Sequence, residues 1–193
     1  MKSSCNTGGF GIDGIVSTLI GASLANKDQL HYLVVGDLAF FYDMNVVGNR
    51  HVSSNVRILL INNGKGTEFR NYNHPGAAFG EEADAYIAAG GHYGNKSHLL
   101  VKHYAEDLGF EYLTASTKED FLINLDRFTN SNLTDKPMIF EVFTNHEDES
   151  KALKMMSYID VDAKGMLKSK VGDVIRKFAG ETGVIAIKNI IKR

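Results

Sequence analysis

The chain has 193 residues, 44% of them hydrophobic, and a formal net charge of -2. That length fits one domain of ordinary size, and the small net charge argues against binding of nucleic acid or of an anionic membrane surface. The single cysteine, Cys5, excludes an internal disulfide, the polar first residues lack the apolar core of a signal peptide, and no apolar run reaches the ~18 residues of a membrane span. We expect a cytoplasmic protein with no membrane-spanning segment.

Strands and helices alternate along most of the chain. Apolar residues at helical spacing predict helices at residues 13–26, 39–47, 81–89, 98–108 and 118–128. Short apolar runs predict strands at residues 30–35, 56–61, 111–114 and 137–143. The first run is almost continuously apolar, which predicts burial on both faces. This alternation predicts an α/β fold in which a parallel sheet carries helices on both faces.

The last part of the chain differs in composition. Residues 147–158 have a helical pattern, and residues 159–193 contain eight basic residues against four acidic ones. One face of an amphipathic helix would be formed by Leu167, Val171, Val174, Ile175 and Phe178. We interpret residues 1–158 as one domain and residues 159–193 as a basic helical extension that packs on the domain or on a partner.

A glycine-rich segment near the start allows one interpretation that we disfavour. Gly9-Phe10-Gly11-Ile12-Asp13-Gly14 fits the G-x-G-x-x-G pattern of dinucleotide-binding proteins, and Asp37 follows the next strand, where such proteins have an acid for the ribose. The pattern requires a strand directly before the glycines, whereas residues 2–7 are few and polar. NAD binding is therefore the weaker interpretation.

Polar residues also follow two successive strands of the predicted sheet. Asp37 ends the first strand and Asn62-Asn63 end the second. Adjacent parallel strands would place the Asp37 carboxylate and the Asn63 amide oxygen side by side, where α/β sheets bind ligands. Mg²⁺ prefers such oxygens, a carbonyl of the turn at residues 64–66 could add a third, and the following helix offers N–H groups to an anion. The pattern predicts a magnesium diphosphate site; the alternative is a simple helix cap at Asp37 and a turn at residues 62–64.

The Gly-Asp and Asn-Asn pair resembles the binding motif of thiamine-diphosphate-dependent enzymes. Within that superfamily the chain is similar to the menaquinone-pathway SEPHCHC synthase family over about residues 4–143. The similar segments are Asn6-Thr7-Gly8-Gly9-Phe10-Gly11-Ile12-Asp13-Gly14, Ser17-Thr18, Gly36-Asp37-Leu38 and Asp43-Met44-Asn45. The resemblance implies the diphosphate-binding domain of such an enzyme and its fold.

The resemblance also implies site residues. Mg²⁺ would be held by Asp37, Asn63 and the carbonyl of Lys65. Thiamine diphosphate would contact these three residues and eight others, with Ile12 under the bent cofactor: Phe10, Gly11, Ile12, Gly36, Leu38, Ala39, Gly66 and Thr67. The substrate-side candidates are Thr7, Glu68 and Phe69.

The implied reaction is decarboxylation of a 2-oxo acid and transfer of the resulting acyl carbanion, as in a carboligase. The superfamily's activating glutamate lies in a pyrimidine-binding domain, so we expect this chain to contain no catalytic residue of its own and to be inactive alone. We interpret it as a C-terminal fragment of a longer enzyme, or one subunit of a split enzyme, that pairs with that domain and forms a homo-oligomer such as a dimer.

Two positions depart from the synthase pattern. Thr7 stands where the synthases have arginine, and Glu68 stands where they have an aliphatic residue. The lost cation and the added anion disfavour a dicarboxylic substrate, so a related 2-oxo-acid decarboxylase of another pathway is an alternative. A non-catalytic regulatory or interaction domain is the second alternative. His92, His98 and His103 lack the spacing of a helical metal site.

Overall fold

The computed structural model describes residues 2–7, 11–90 and 97–159. The chain forms two compact units, Met1–Ser150 and Lys151–Arg193, and only residues 151–159 of the second unit are described. The helix that we predict within residues 159–193 lies outside the described residues from residue 160 onward. The domain boundary after residue 158 stays a prediction.

Four parallel strands form one sheet in the order β1-β2-β4-β3. The strands are β1 His31–Gly36, β2 Val56–Asn62, β3 Glu111–Ala115 and β4 Met138–Phe143. Gly36 of β1 is in register with Ile61 of β2, and Asn62 of β2 is in register with Phe143 of β4. The carboxyl ends of these three strands therefore lie along one edge of the sheet, which we call the carboxyl edge. The predicted parallel α/β sheet is confirmed.

Six α-helices connect or follow the strands in the described part of the chain. They are α1 Ile15–Ala25, α2 Asp37–Asp43, α3 Asp84–Ile87, α4 Leu100–Asp107, α5 Lys118–Thr129 and α6 His146–Met156. Among the described residues, 3-10 turns are found at Met44–Gly48, Thr67–Arg70 and Pro75–Ala83, the last interrupted by the non-helical Gly80. None of the described helices is long and apolar enough to cross a membrane.

Two predicted helices differ from the structure. The helix expected at residues 39–47 begins earlier, at Asp37, and its second half is the 3-10 turn Met44–Gly48. The helix expected at residues 81–89 is the end of a 3-10 turn followed by the single α-turn α3. It stops at Ile87 because Ala88 is extended and forms an isolated antiparallel bridge with Lys65.

Both faces of the sheet carry helices. Side chains alternate between the two faces along each strand, so the sheet has apolar residues on both. On one face Ile58, Leu60 and Ile139 are fully buried and pack in a cluster with residues of α1, α2 and α4. On the other face Met138 and Phe140 are fully buried in a cluster with Phe128 of α5. The predicted two-faced packing is therefore confirmed for the centre of the sheet.

Strand β1 does not have the burial that its apolar sequence predicts. Tyr32 is 46% exposed and Val34 is 66% exposed, whereas Val35, which points to the other face, is 3% exposed. The prediction that β1 is buried on both faces is wrong for the described structure. The physical reason is that β1 is an edge strand, which pairs with β2 alone in the described residues. Helix α5 covers β3 and β4 at the other end of the sheet.

The start of α1 is hydrogen-bonded to the end of α2. Asp43, the last residue of α2, accepts hydrogen bonds from the N–H and the hydroxyl of Ser17, both at 2.6 Å. The carboxylate therefore caps the N-terminus of α1 from a different helix. Gly11 has φ 71°, and a Cβ there would lie 2.9 Å from the carbonyl oxygen of Asn6. Any side chain at Gly11 would disrupt this approach of the backbone to itself.

Candidate cofactor and metal site

Asp37 joins the ends of β1 and β2. Its side chain is 1% exposed. Its Oδ1 accepts a hydrogen bond from the N–H of Leu38 at 2.9 Å, and its Oδ2 accepts one from the N–H of Gly64 at 2.7 Å. The first bond belongs to the N-terminus of α2, and the second reaches the turn that follows β2. Asp37 is the first residue of α2, and its carboxylate bonds both the start of the helix and the turn after β2. The choice between a magnesium site and a simple cap and turn stays a prediction.

Asn63 lies in the turn that Asp37 holds. Its Oδ1 accepts a hydrogen bond from the N–H of Lys65 at 3.1 Å. Its Nδ2 donates to Oγ1 of Thr67 at 3.2 Å and to Oε2 of Glu149 at 2.8 Å. The amide is therefore anchored through its nitrogen on one side and supports the turn through its oxygen on the other.

The side chain of Lys65 is directed to an ion-pair network. Its Nζ lies 2.7 Å from Asp84, which also lies 2.7 Å from Arg70. The backbone bridge around Lys65 uses the carbonyl of Gly64 and the N–H of Gly66, which bond Ala89 and Ile87. The hydrogen bonds of this bridge therefore do not use the carbonyl of Lys65, and the N–H of Lys65 donates to Asn63. Lys65 can thus offer a main-chain oxygen while its ammonium group is neutralised elsewhere.

Gly66 lies tightly against the beginning of α2. A Cβ at Gly66 would lie 2.7 Å from Cδ2 of Leu38 and 3.5 Å from Cδ2 of Phe69. Leu38 and Ala39 are half-buried in the first turn of α2, and Thr67 begins the next 3-10 turn. These four predicted diphosphate contacts, Leu38, Ala39, Gly66 and Thr67, therefore belong to two adjacent backbone segments.

The oxygen donors fit a small divalent cation bound together with a diphosphate. If the predicted ligands hold Mg²⁺, Asp37 would supply a carboxylate, Asn63 an amide oxygen and Lys65 a carbonyl. No group of three or more His, Cys, Asp or Glu side chains that could hold a metal occurs in residues 2–7, 11–90 and 97–159. A site with one carboxylate and two neutral oxygens suits Mg²⁺, which commonly takes part of its coordination from substrate phosphates and water.

The remaining predicted residues differ in exposure. Gly36 is the exposed last residue of β1, and Ile12 is half-buried just before α1. Phe10 lies outside the described residues. Glu68 is exposed and Phe69 half-buried on the 3-10 turn directly after Gly66, whereas Thr7 is exposed on the N-terminal segment. The ring of Phe69 lies edge-on to the ring of His74 with a centroid distance of 5.2 Å.

Two residues that the sequence analysis missed contribute to the same edge. Glu149, in the first turn of α6, accepts hydrogen bonds from Asn63 and, at 3.1 Å, from Oγ1 of Thr67. Thr144, which follows β4, donates its hydroxyl to the other oxygen of Glu149. The signal was the strand order: β4 neighbours β2, so residues after Phe143 must meet the turn after Asn62. Sequence alone did not reveal that β4 lies between β2 and β3.

Directly beneath the edge lies a second polar cluster inside the sheet. Glu141 of β4 is 1% exposed and Asn62 of β2 is 4% exposed. The Glu141 carboxyl accepts hydrogen bonds from Nδ2 of Asn62 and, at 2.6 Å, from the hydroxyl of Tyr112. Burial, together with the hydrogen bond to Glu141, raises the pKa of Tyr112 above its ordinary value. This phenol stays protonated as a donor at physiological pH.

The sheet is all-parallel and carries these polar groups at adjacent strand ends. This arrangement agrees with the fold class that the resemblance to thiamine-diphosphate-dependent enzymes implies. Comparison with curated proteins supports the same resemblance. The matching proteins are named 2-succinyl-5-enolpyruvyl-6-hydroxy-3-cyclohexene-1-carboxylate (SEPHCHC) synthase. The chain is 38% identical to the Bacteroides fragilis synthase over 150 residues, 37% to that of Bacteroides thetaiotaomicron over 150 residues, and 32% to that of Christiangramia forsetii over 154 residues. The chain is therefore homologous to part of the SEPHCHC synthases.

The homology covers most of this chain and a small part of each relative. The matched residues make up 78% of this chain but 25% of the Bacteroides synthases. The chain thus spans about a quarter of the length of the curated relatives that it matches. No protein-family profile matches the chain.

Proposed function

We propose that this chain is the diphosphate- and Mg²⁺-binding part of a thiamine-diphosphate-dependent enzyme, a SEPHCHC-synthase-like carboligase that decarboxylates a 2-oxo acid and transfers the acyl carbanion. The observation that carries the proposal is the 2.7 Å hydrogen bond from the N–H of Gly64 to Oδ2 of Asp37. That bond holds a buried carboxylate against the turn that carries Asn63 and Lys65. We infer that the three proposed oxygen donors, which come from two strand ends, face one cation.

Each residue of this centre has a defined part in the proposal. Asp37, Asn63 and the carbonyl of Lys65 hold Mg²⁺, and the cation offsets the charge of a diphosphate. The backbone N–H groups at the start of α2 and of the 3-10 turn after Gly66 bind phosphate oxygens. Gly66 has no side chain, which lets the side chains of Leu38 and Phe69 pack against its backbone.

Thiamine diphosphate, when bound, would supply the electron sink for decarboxylation. The protein's part is position and charge. Gly11 and Ile12 precede α1, whose first turn is held by Asp43, and we assign Ile12 as the apolar support under the organic part of the cofactor. Phe10 and Gly36 complete the proposed contacts.

The proposed active enzyme needs more than this chain. The glutamate that activates the pyrimidine ring would come from a pyrimidine-binding domain, either in a longer form of the chain or in another subunit. Relatives about four times as long as the matched region agree with such an additional domain. A homo-oligomer would bring two such domains together.

A related 2-oxo-acid decarboxylase is the second candidate. Its support is Glu68, an exposed carboxylate on the 3-10 turn that follows Gly66, together with the uncharged Thr7. An anion on this turn disfavours a dicarboxylic 2-oxo acid and an anionic acceptor. If the complete enzyme converts a dicarboxylic 2-oxo acid and an anionic acceptor at an ordinary rate, this candidate is excluded and the synthase reaction remains.

A thermal-shift titration with thiamine diphosphate tests the proposed site. A ligand at about 100 times its Kd stabilises a protein by about 2.7 kcal/mol, so we expect a clear rise in Tm that requires Mg²⁺ and is removed by EDTA. Asp37→Ala should abolish the rise. The matched control is Asp28→Ala, which removes an exposed carboxylate just before β1, at the opposite edge of the sheet.

The other outcomes decide between the alternatives. A rise with NAD alone would overturn the thiamine-diphosphate proposal in favour of dinucleotide binding. No rise with either ligand, at millimolar concentrations, would favour the non-catalytic regulatory or interaction domain.

A further inference from the structure

Glu149 forms a side-chain bridge between helix α6 and the turn that carries the proposed metal ligands. Its Oε2 accepts hydrogen bonds from Nδ2 of Asn63 at 2.8 Å and from Oγ1 of Thr67 at 3.1 Å. Its Oε1 accepts a hydrogen bond from Oγ1 of Thr144. Both carboxylate oxygens are therefore engaged, and the side chain is half-buried.

The chemistry of these groups fixes the orientation of the Asn63 amide. A carboxylate only accepts hydrogen bonds, so the amide can direct only its nitrogen toward Glu149. The second hydrogen of that nitrogen is directed to Oγ1 of Thr67 at 3.2 Å. The amide oxygen must then face the opposite side, where it accepts one bond from the N–H of Lys65 and keeps a second lone pair for a cation.

The support of Glu149 is itself built into the sheet. The N–H of Thr144 donates to the carbonyl of Asn62 at 3.0 Å, which continues the pairing of β4 with β2 beyond the strand end. A second link joins the same helix to the residues after the 3-10 turn Thr67–Arg70, because Oγ of Ser150 accepts a hydrogen bond from the N–H of Tyr72 at 3.1 Å. Glu149 thus reaches Asn63 from a helix that is anchored to the chain on both sides of the turn.

We propose that Glu149 is a positioning residue that holds the Asn63 amide with its oxygen toward the cation and thereby sets the affinity of the site for Mg²⁺. The inference rests on the proposed function, since it assigns Asn63 as a metal ligand. Residues that orient metal ligands typically change metal affinity by about 10–100-fold when they are removed. Glu149 is related to the metal only through Asn63 and is not assigned as a ligand.

The opposite effect would arise if Glu149 occupied the place of a phosphate. A hydroxyl has one hydrogen, so Thr67 cannot donate to Glu149 and to a diphosphate at the same time. In that case removal of the carboxylate would tighten cofactor binding. The positioning role predicts that removal weakens Mg²⁺ binding, and the two roles are therefore distinguished by the sign of one measurement.

The experiment compares Glu149→Ala with Glu149→Gln in the full chain. The apparent Kd for Mg²⁺ is measured by calorimetric titration at a fixed millimolar concentration of thiamine diphosphate. Glu149→Ala should raise this Kd by about tenfold or more. Glu149→Gln keeps an oxygen acceptor at the same distance and should restore the Kd to within about threefold of the wild-type value. Glu147→Ala, which removes an exposed carboxylate from the same helical turn, is the matched control and should leave the Kd unchanged.

A second readout needs neither metal nor cofactor. The side-chain NH₂ signals of Asn63, assigned by their loss in Asn63→Asp, report the hydrogen bonds to Glu149 and Thr67. We expect slow hydrogen exchange of this group in the wild-type chain and in Glu149→Gln, and fast exchange in Glu149→Ala. Should Glu149→Ala fail to fold, Thr144→Val releases the other carboxylate oxygen and should shift both readouts in the same direction.

Each other result overturns the inference in a recognisable way. A lower Mg²⁺ or cofactor Kd in both Glu149 variants would assign Glu149 as a competitor of the diphosphate. A lower Tm with an unchanged Mg²⁺ Kd would make the bridge merely structural. Absence of Mg²⁺-dependent binding in the wild-type chain would overturn the proposed function itself, and the inference with it, whatever the variants do.

Discussion

Asn62 and Asn63 are neighbours in sequence but belong to two different polar clusters. The sheet cluster consists of Asn62, Tyr112 and Glu141, and the two residues at its centre, Asn62 and Glu141, are no more than 4% exposed. The edge cluster lies at the carboxyl edge and consists of Asp37, Asn63, Thr67, Thr144 and Glu149. In the sheet cluster two donors meet one carboxyl group, whereas the edge cluster combines the buried carboxylate of Asp37 with polar groups that are half-buried or exposed.

The difference separates stability from binding. Buried polar groups are costly unless they are paired, and a fully paired network can fix a unique arrangement of strands. The sheet cluster links β2, β3 and β4 in this way. The edge cluster is half-buried around its turn, so it can exchange a protein or water contact for a ligand at low cost. Variants of the two clusters should therefore change different measurements.

The largest effect on stability is expected for Glu141→Ala. The substitution leaves the donors of Asn62 and Tyr112 without their acceptor, and each such buried donor costs about 1–3 kcal/mol. We expect the free energy of unfolding, measured with urea, to fall by about 2–6 kcal/mol. Glu141→Gln is the control, because it keeps one oxygen acceptor and should lose clearly less.

The Glu141→Gln variant also tests whether the two clusters are independent. If they are, the apparent Kd for Mg²⁺ of the Glu141→Gln protein should stay within about twofold of the wild-type value, because a change at one independent site leaves the energetics of the other unaltered. A change of tenfold would show that the sheet cluster also positions Asn63 through its neighbour Asn62.

Tyr112→Phe should have the next largest effect. It removes one donor from the carboxyl of Glu141 and leaves the ring in place. Hydrogen bonds to charged groups are worth about 1.5–3 kcal/mol, so the free energy of unfolding should fall by about that amount. Tyr104→Phe is a suitable comparison, since its hydroxyl donates to the backbone carbonyl of Met44 at 3.0 Å and should cost less. Equal losses for both variants would contradict a special role for the sheet cluster.

The sequence predicted the sheet cluster poorly and the edge cluster partly. Residues 137–143 were recognisable as a buried strand, but the polar partner of Glu141 depends on the strand order, because Asn62 and Tyr112 lie on the two strands beside β4. Local patterns carry no information on which strands are neighbours when helices separate them. Glu149 was missed for the same reason.

Asp37 and Asn63 were recognisable because each directly follows an apolar strand, and parallel strands end at a common edge. The exposure of β1 was predicted wrongly, since apolar composition does not distinguish a central strand from an edge strand whose face remains open. The sequence predicted helix α3 to be too long, because the bridge between Lys65 and Ala88 that ends it is a tertiary contact, which no local pattern contains.

Gly66→Ala should affect the edge cluster more than the fold. The added Cβ would lie 2.7 Å from the side chain of Leu38, a flexible group that can move, so a loss of about 1–2 kcal/mol in stability is expected from overpacking. The apparent Kd for thiamine diphosphate with Mg²⁺ should rise by about tenfold or more, because the added methyl group displaces Leu38, a proposed diphosphate contact. Gly48→Ala is the matched control, since its Cβ would meet Leu108 at an ordinary 3.7 Å. An unchanged Kd in Gly66→Ala would remove Gly66 from the proposed site.

An exposed ion pair outside both clusters should show the smallest effect, and only in acid. Arg127 bonds both carboxylate oxygens of Glu111, at 2.8 and 2.6 Å, and this hydrogen bonding lowers the pKa of Glu111 below its ordinary 4.5.

A carboxyl with a lowered pKa in the folded state adds stability above its unfolded pKa and loses it as the pH falls through the folded pKa. Between about pH 5 and about pH 3, Tm should therefore fall more steeply in the wild type than in Arg127→Gln. Lys102→Gln is the control, because Lys102 lies 4.0 Å from Glu106 in a looser exposed pair and should leave the slope unchanged. Parallel acid profiles for all three proteins would mean that the pH dependence arises elsewhere, and the buried carboxyl of Glu141 would be the next group to examine.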